Sequence, residues 1–165
     1  MHTLLHHGVG VVHNPTSNLK LASGFAPVVR MLELGLNVGI GTDGPASNND
    51  LDMWEEMRLA ALLAKGFTSD PMALPARQAL ELATIGGARA LHIADSVGSL
   101  EPGKRADLTV VDLSNVHTIP KFSRDPEALY AQLVYASKAS DVRDVMCDGK
   151  WLMRDRRLLT VDEST

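Results

Sequence analysis

One carboxylate stands where a buried strand gives way to a loop of small residues. The apolar Val38 and Ile40 lead to Asp43, which glycine, proline and small polar residues follow. A strand that ends in this way presents its last side chain to a cavity, and α/β folds place catalytic acids at such strand ends. Asp43 could instead only cap the next helix, but Asn49 or Asp50, directly before that helix, is better placed for capping. We therefore expect Asp43 to be functional.

Most of the six histidines show no spacing typical of a metal site, and no two form a His-x-His pair. His6 and His7 are adjacent, so their side chains point in different directions, and we expect both in a surface or loop position. His92 and His117 have no ligand partner nearby in sequence. We expect these two to be structural or exposed.

His13 is the histidine nearest to a site, because it follows the first apolar strand. We expect it to form hydrogen bonds within its loop, with Asn14 and Ser17, or to contact a bound molecule. A role as metal ligand is the weaker alternative, since His13 has no second ligand at suitable spacing.

The elements that position Asp43 alternate between strands and helices. Residues 8–12 predict a buried strand, residues 14–20 a loop, and Pro27 to Gly35 a helix with proline in its first turn and glycine ending it. Residues 38–42 predict a second buried strand, and residues 51–65 a helix. Two strands buried on both faces and joined by a helix predict a parallel sheet covered by helices.

A third helix begins near Pro75 and contains Gly86 and Gly87. Because glycine inside a helix costs about 1 kcal/mol relative to alanine, this pair indicates a kink, a close helix contact or a boundary.

The pattern changes near Val97, after which strands no longer alternate with helices. Residues 106–113 predict a strand, residues 118–126 an irregular segment and residues 127–136 a short helix. Asp148-Gly149 predicts the turn of a hairpin between residues 142–147 and 150–154. The C-terminal part is therefore expected to be a separate, small β unit.

Composition excludes several classes of protein. The chain has 165 residues, a net charge of −4 and no cluster of basic residues beyond Arg154, Arg156 and Arg157, so nucleic acid is not expected as a partner. No apolar run approaches the ~20 residues that span a bilayer, and no signal peptide is visible. A single cysteine, Cys147, rules out an internal disulfide, and we expect it to be buried or half-buried. These features predict a soluble, cytoplasmic protein without a membrane partner.

Three motifs occur together and in order along the chain: HNPTSNLKL at 13–21, GTDG at 41–44 followed by SNN at 47–49, and GSLEPGK at 98–104 followed by ADL at 106–108. In this combination the chain resembles the C-terminal part of the metal-dependent amidohydrolases. The branch that it resembles contains the 5-methylthioadenosine/S-adenosylhomocysteine deaminases and their chlorohydrolase relatives.

The resemblance implies an α/β fold, the C-terminal part of a (β/α)₈ TIM barrel with strands of a small β-sandwich. Residues 9–12 would be barrel strand seven and residues 38–42 strand eight. The implied division is residues 1–96 for the barrel part and residues 97–165 for the composite β-sandwich segment.

The resemblance also implies a role for Asp43 as a catalytic residue and metal ligand that manages the proton of the attacking water. The expected metal is divalent, zinc with iron as the alternative, and the expected reaction is hydrolytic deamination of an adenine-type nucleoside. The family has further ligands, a His-x-His pair, two other histidines and a glutamate, and we expect them to lie outside these 165 residues. The substrate would be a small nucleoside or nitrogen heterocycle, and the whole enzyme a homo-oligomer.

Two alternatives remain open. The same site could serve guanine or cytosine deamination, or chloride release from a triazine; Pro45, where the family more often has alanine, leaves the substrate open. The chain could also be a non-catalytic piece, either truncated or complementing another polypeptide. Such a piece would expose strand edges and apolar helix faces, and would be expected to associate.

Overall fold

The structure, a computed structural model, describes residues 1–120 and 125–162. The middle of the predicted irregular segment, residues 121–124, and the last three residues lie outside the described part. The strands are β1 (Val11–His13), β2 (Val38–Ile40), β3 (Leu108–Val111), β4 (Val142–Cys147), β5 (Lys150–Arg154) and β6 (Arg157–Leu158). They form two sheets: β1 pairs with β2 in parallel, and β3 to β6 form an antiparallel sheet in sequence order.

Eight α-helical segments occur in the described residues. They are α1 (His2–His6), α2 (Pro15–Lys20), α3 (Val28–Glu33), α4 (Pro45–Asn48), α5 (Met53–Thr68), α6 (Ala76–Glu81), α7 (Gly87–Ala90) and α8 (Pro126–Ala131). A π-helical segment, Leu82–Gly86, joins α6 to α7, and another, Gln132–Ala136, extends α8. Short 3₁₀ turns lie at Val116–Thr118 and Ala139–Asp141. None of the described helices is long and apolar enough to cross a membrane.

The parallel pairing of β1 with β2 confirms the sheet expected around Asp43. Val11 lies opposite Val38 and His13 opposite Ile40. Pairing starts at Val11 rather than at residue 8, because β2 begins only at Val38. Since the strands are parallel, the segments that follow them emerge at the same edge. This geometry brings the loops after β1 and β2 together.

The prediction of a loop at residues 14–20 is wrong, because Pro15–Lys20 forms α2. Proline at the first helical position needs no hydrogen-bonded N–H, and its fixed φ suits a helix start. The backbone N–H of Asn18 donates to the Asn14 carbonyl and closes the first turn. The abundance of locally bonding side chains obscured this helix start.

Helix α5 begins two residues later than predicted, and its cap is neither Asn49 nor Asp50. Asp52 Oδ1 accepts hydrogen bonds from the backbone N–H groups of Trp54 and Glu55, at 2.7 and 3.2 Å. This cap satisfies two of the free N–H groups at the helix start. Asp43 is therefore not needed as a cap.

The glycine pair in the third helix marks a close contact with the sheet, one of the predicted alternatives. A Cβ on Gly39 of β2 would lie 2.8 Å from the Gly87 Cα, and a Cβ on Gly86 would lie 2.9 Å from the carbonyl oxygens of Val38 and Glu81. Helix and strand backbones approach so closely because neither carries a side chain there. The helix also begins at Ala76, with Pro75 just outside it.

The C-terminal hairpin is confirmed, with Cys147 opposite Lys150 and positive φ angles of 50° and 75° at Asp148 and Gly149. Cys147 itself is exposed, so the prediction of a buried or half-buried cysteine is wrong. It ends β4 beside the turn, where nothing covers it. The predicted helix at residues 127–136 is present as α8 and its π-helical extension.

The buried apolar core lies between the parallel sheet and the helices. Val38, Ile40, Met57, Leu82 and Val134 belong to it. Met53 and Trp54, at the start of α5, pack against this cluster. The core therefore holds β2 against α5 and fixes the strand that leads to Asp43.

Three other expectations concern exposed histidines. His6 and His7 are exposed as expected, although His6 lies in α1, a helix that was not predicted. His117 is also exposed, and its Nε2 lies 2.7 Å from Oδ2 of the buried Asp141. It thus has a structural partner that its sequence neighbourhood did not reveal.

Candidate active site

Asp43 lies just beyond the carboxyl end of β2, in a left-handed backbone conformation. Its φ is 62°, a region that side chains other than glycine adopt rarely and that aspartate tolerates better than most. The reversal carries the chain from Ile40 of β2 into Pro45 of α4. As a result the Asp43 side chain is exposed at the edge where both parallel strands end.

Two serine hydroxyls orient the Asp43 carboxylate. Ser17 Oγ donates to Asp43 Oδ2 at 2.7 Å, and Ser47 Oγ donates to the same oxygen at 2.8 Å. Ser17 belongs to α2, after β1, whereas Ser47 belongs to α4, after β2. Both strand-to-helix segments therefore converge on one carboxylate oxygen.

These hydrogen bonds lower the pKa of Asp43 below its ordinary value. The largest cause is the Ser17 hydroxyl, followed by the Ser47 hydroxyl and the backbone N–H of Gly44, while desolvation acts weakly in the opposite direction. Donors that bond the charged form favour it. Asp43 is thus ionised at neutral pH, the form in which a carboxylate binds a divalent cation or accepts a proton.

A buried glutamate, Glu56 of α5, lies behind the two serines. Its Oε2 accepts a hydrogen bond from the Thr16 backbone N–H at 3.0 Å, and its Oε1 accepts a short one from Asn48 Nδ2. On the outer side, Lys20 Nζ donates to the Ala46 carbonyl at 2.9 Å and to Asn49 Oδ1 at 2.6 Å. The segments that follow β1 and β2 are therefore connected by a buried side chain, Glu56, and by an exposed one, Lys20.

Ser47 was noted in the sequence only as part of the SNN motif, Glu56 was not noted, and Ser17 was assigned to a different contact. The convergence of the two serines could have been predicted from the parallel strands. Both serines follow such a strand, and the ends of parallel strands meet at one edge of the sheet. Glu56 had no comparable signal, since a glutamate early in an amphipathic helix is usually solvated.

His13 is the last residue of β1. It is 6% exposed, and its Nδ1 is buried without a hydrogen-bond partner among residues 1–120 and 125–162. Ser17 donates to Asp43 instead, so the predicted loop contact between His13 and Ser17 is wrong. Burial lowers the pKa of His13 to about 4, so the imidazole is neutral at pH 7.

The cavity that His13 lines is separate from the Asp43 edge. Its volume is about 190 Å³, and its mostly apolar walls include Ala60, Phe25 and Phe67. Asp43 is not among the lining residues. The two predicted site residues therefore lie at and just beyond the ends of neighbouring strands, with no hydrogen bond between their side chains within the described residues.

Asp43 fits a metal site as one ligand among several. Its carboxylate is exposed, ionised and held by donors on one oxygen, which suits coordination through the other. Within the described part of the chain, no group of three or more histidine, cysteine, aspartate or glutamate side chains is arranged to hold a metal ion. Catalytic metal sites generally have about three protein ligands, so these residues alone do not complete one.

Comparison with known proteins gives consistent matches over nearly the whole chain. The model of the amidohydrolase family matches residues 1–152. A 5-methylthioadenosine/S-adenosylhomocysteine deaminase from Desulforudis audaxviator is 56% identical over 162 residues, which cover 98% of this chain and 36% of the relative. The chain therefore spans little more than a third of the length of this relative.

Two solved structures with bound zinc show the same fold over this region. An adenosine deaminase from Xanthomonas campestris superimposes with a TM-score of 0.92 at 48% identity, over 99% of this chain and 36% of that chain. An atrazine chlorohydrolase from Arthrobacter aurescens superimposes with a TM-score of 0.82 at 31% identity, over 95% of this chain and 34% of that chain.

Proposed function

This chain belongs to the amidohydrolase family, and we propose that in the whole protein it supplies the aspartate of a metal-dependent aminohydrolase. The observation that carries the proposal is the Asp43 carboxylate, which is exposed beyond β2 and held by Ser17 and Ser47. The proposed reaction is hydrolytic deamination of an adenine-type nucleoside, such as 5-methylthioadenosine or S-adenosylhomocysteine. The names of the similar deaminases support this substrate class.

The proposed architecture assigns β1 and β2 to strands seven and eight of an eight-stranded barrel. Their parallel pairing and the cover of helices on one side support this assignment. Residues 1–96 would belong to the barrel and residues 97–165 to a composite β-sandwich. The antiparallel order of β3 to β6 supports a separate β unit.

Asp43 would act in two ways in this reaction. When bound, a divalent metal supplies the Lewis acidity that makes water a nucleophile at neutral pH. Asp43 would hold one coordination position, and its ionised carboxylate would accept a proton from the attacking water and return one to the amino group that leaves as ammonia.

Zinc is the proposed metal, since both similar structures contain it; iron remains the alternative. The remaining ligands would come from outside the described residues. His13 stays a predicted substrate contact, which requires that substrate reach its separate cavity. A cytoplasmic location and a homo-oligomeric whole enzyme also stay predictions.

The second candidate function is release of chloride from a triazine, which the match to the atrazine chlorohydrolase favours. The deaminase is the better-supported candidate because sequence identity is 48% to the zinc-containing deaminase and 31% to the chlorohydrolase. Guanine or cytosine deamination shares the same aspartate chemistry and is a further alternative. A non-catalytic piece would show none of these reactions.

A chimera tests the proposal directly. This chain replaces the matching segment of the Desulforudis audaxviator deaminase, and the zinc-loaded chimera is assayed for ammonia release from 5-methylthioadenosine, guanine and cytosine, and for chloride release from atrazine. Turnover of 5-methylthioadenosine alone is expected. Preference for another substrate would support the corresponding alternative, and a folded but inactive chimera would favour the non-catalytic alternative.

A further inference from the structure

We propose that Glu56 is a positioning residue that sets the orientation of the Asp43 carboxylate through the two serines. The inference rests on the proposed function of Asp43, although its structural part can be tested without any reaction. Glu56 belongs to α5, a helix that does not itself enter the site, so its effect on Asp43 would be indirect.

Glu56 has the burial and the contacts that such a role requires. It is 1% exposed, although a glutamate is rarely buried without partners. Each of its two oxygens accepts one hydrogen bond, one from the Thr16 backbone and one from the Asn48 side chain. These donors belong to the segments that follow β1 and β2. The backbone hydrogen bonds between β1 and β2 end at Gly41, so they do not hold these two segments together.

The connection from Glu56 to Asp43 is short on both sides. Thr16 directly precedes Ser17, and Asn48 directly follows Ser47. The residues that Glu56 holds are thus the chain neighbours of the residues that hold Asp43. A displacement of Thr16 or Asn48 must therefore move a serine hydroxyl relative to Asp43 Oδ2, where the present distances are 2.7 and 2.8 Å.

A second contact between these two segments, made by Lys20, fixes the positions of the serines less firmly. Lys20 reaches the Ala46 carbonyl and Asn49 Oδ1 from the exposed side. An exposed lysine contact competes with water and loses side-chain entropy, so it constrains geometry weakly. The contact of Glu56 with Asn48 is buried and that with Thr16 is partly buried, and a hydrogen bond is stronger and an unpaired donor more costly away from water.

A carboxylate is required at this position because both partners donate. Ionised glutamate only accepts hydrogen bonds, whereas glutamine presents one oxygen and one NH₂ group. In a Glu56→Gln variant one of the two donors, Thr16 N–H or Asn48 Nδ2, would face another donor. The variant keeps the side-chain size, so it breaks one of the two hydrogen bonds without creating a cavity. Glu55→Gln is a matched control, since it makes the same change at the adjacent, less buried position.

The test uses NMR spectroscopy of the 165-residue chain at pH 7, without metal or substrate. In Glu56→Gln, the donor that loses its acceptor, either the Thr16 amide or the Asn48 side-chain amide, should exchange its protons at least about tenfold faster. The Asp43 ¹³Cγ resonance should move towards its position in a Ser17→Ala/Ser47→Ala variant. Glu55→Gln should change neither signal. A Glu56→Gln protein that loses thermal stability but leaves the Asp43 resonance in place would overturn the proposal, because a purely structural role predicts that result.

A second variant keeps the test decisive if Glu56→Gln does not fold. Asn48→Ala removes the contact between Glu56 and α4, together with the hydrogen bond from the Leu51 backbone N–H to Asn48 Oδ1. It leaves the Thr16 contact in place and should move the Asp43 resonance by a smaller amount in the same direction. An unchanged Asp43 resonance in folded Asn48→Ala would equally contradict the proposal. In the chimera, Glu56→Gln should reduce kcat more than it changes KM. If the wild-type chimera is inactive, the proposed function fails while the NMR result still decides the role of Glu56.

Discussion

Ser17 Oγ lies 2.7 Å from Asp43 Oδ2, although 26 residues separate them in sequence. The contact exists because parallel strands deliver their following segments to one edge of the sheet. It turns an exposed aspartate at a strand end into an oriented carboxylate with a lowered pKa. In this family member, the aspartate therefore depends on residues from two strand-to-helix segments.

Removal of a serine hydroxyl should weaken the orientation of Asp43. Ser17→Ala and Ser47→Ala should each lower kcat/KM of the chimera by a factor of about 10 to 150, since a hydrogen bond to a charged group is worth about 1.5–3 kcal/mol. Steady-state kinetics with 5-methylthioadenosine provide the measurement. Ser23→Ala, at an exposed serine, is the control and should have no effect. Wild-type kinetics in both single variants and in the double variant would show that the serines do not support Asp43.

The close contact between β2 and the third helix predicts opposite effects of two glycine substitutions. Gly86→Ala would place a Cβ 2.9 Å from two carbonyl oxygens and should destabilise the chain by about 1–3 kcal/mol. Gly66→Ala, in α5, would place its Cβ in open space with no atom within 4 Å, and should stabilise the chain by about 0.5–1 kcal/mol. Urea unfolding followed by circular dichroism measures both. Equal effects of the two substitutions would show that helix propensity, and not packing, decides.

Burial of His13 predicts a loss of stability in weak acid. Its pKa is lowered from 6.5 to about 4, so the unfolded chain takes up a proton first as the pH falls. Stability is therefore lost progressively between pH 6.5 and about 4, by roughly 3 kcal/mol in total. His13→Gln should remove this component from the pH dependence of unfolding, whereas His92→Gln, at an exposed position, should retain it. Identical pH profiles for wild type and His13→Gln would refute the assignment.

The sequence was informative where a local pattern of residues determines the local structure. The position of Asp43 after a buried strand could be predicted because an apolar run ends in small residues, and the hairpin because Asp148-Gly149 matches the positive φ angles found there. The close approach at Gly86 was one of three alternatives, and only the structure showed that the helix touches β2.

The supporting network could not be predicted from the sequence because it depends on long-range placement. Nothing around Glu56 indicates that Thr16, 40 residues earlier, donates to it. Helix α2 was missed because local hydrogen-bonding side chains favour loops as well as helix starts. His13 appeared suited to a site from its position at a strand end, but in the structure its side chain is buried and lines a cavity whose lining does not include Asp43.

Asp43 is proposed to bind the metal and to transfer the proton in a hydrolytic deamination. The most direct measurement compares the zinc-loaded chimera with its Asp43→Ala variant for bound zinc and for the rate of ammonia release from 5-methylthioadenosine, with exposed Asp95→Ala as control. We expect Asp43→Ala to lower kcat at least about 100-fold, the size of a general acid–base contribution, and to weaken zinc binding, while Asp95→Ala does neither. An Asp43→Ala chimera with the zinc content and turnover of the unmodified chimera would contradict both roles of Asp43.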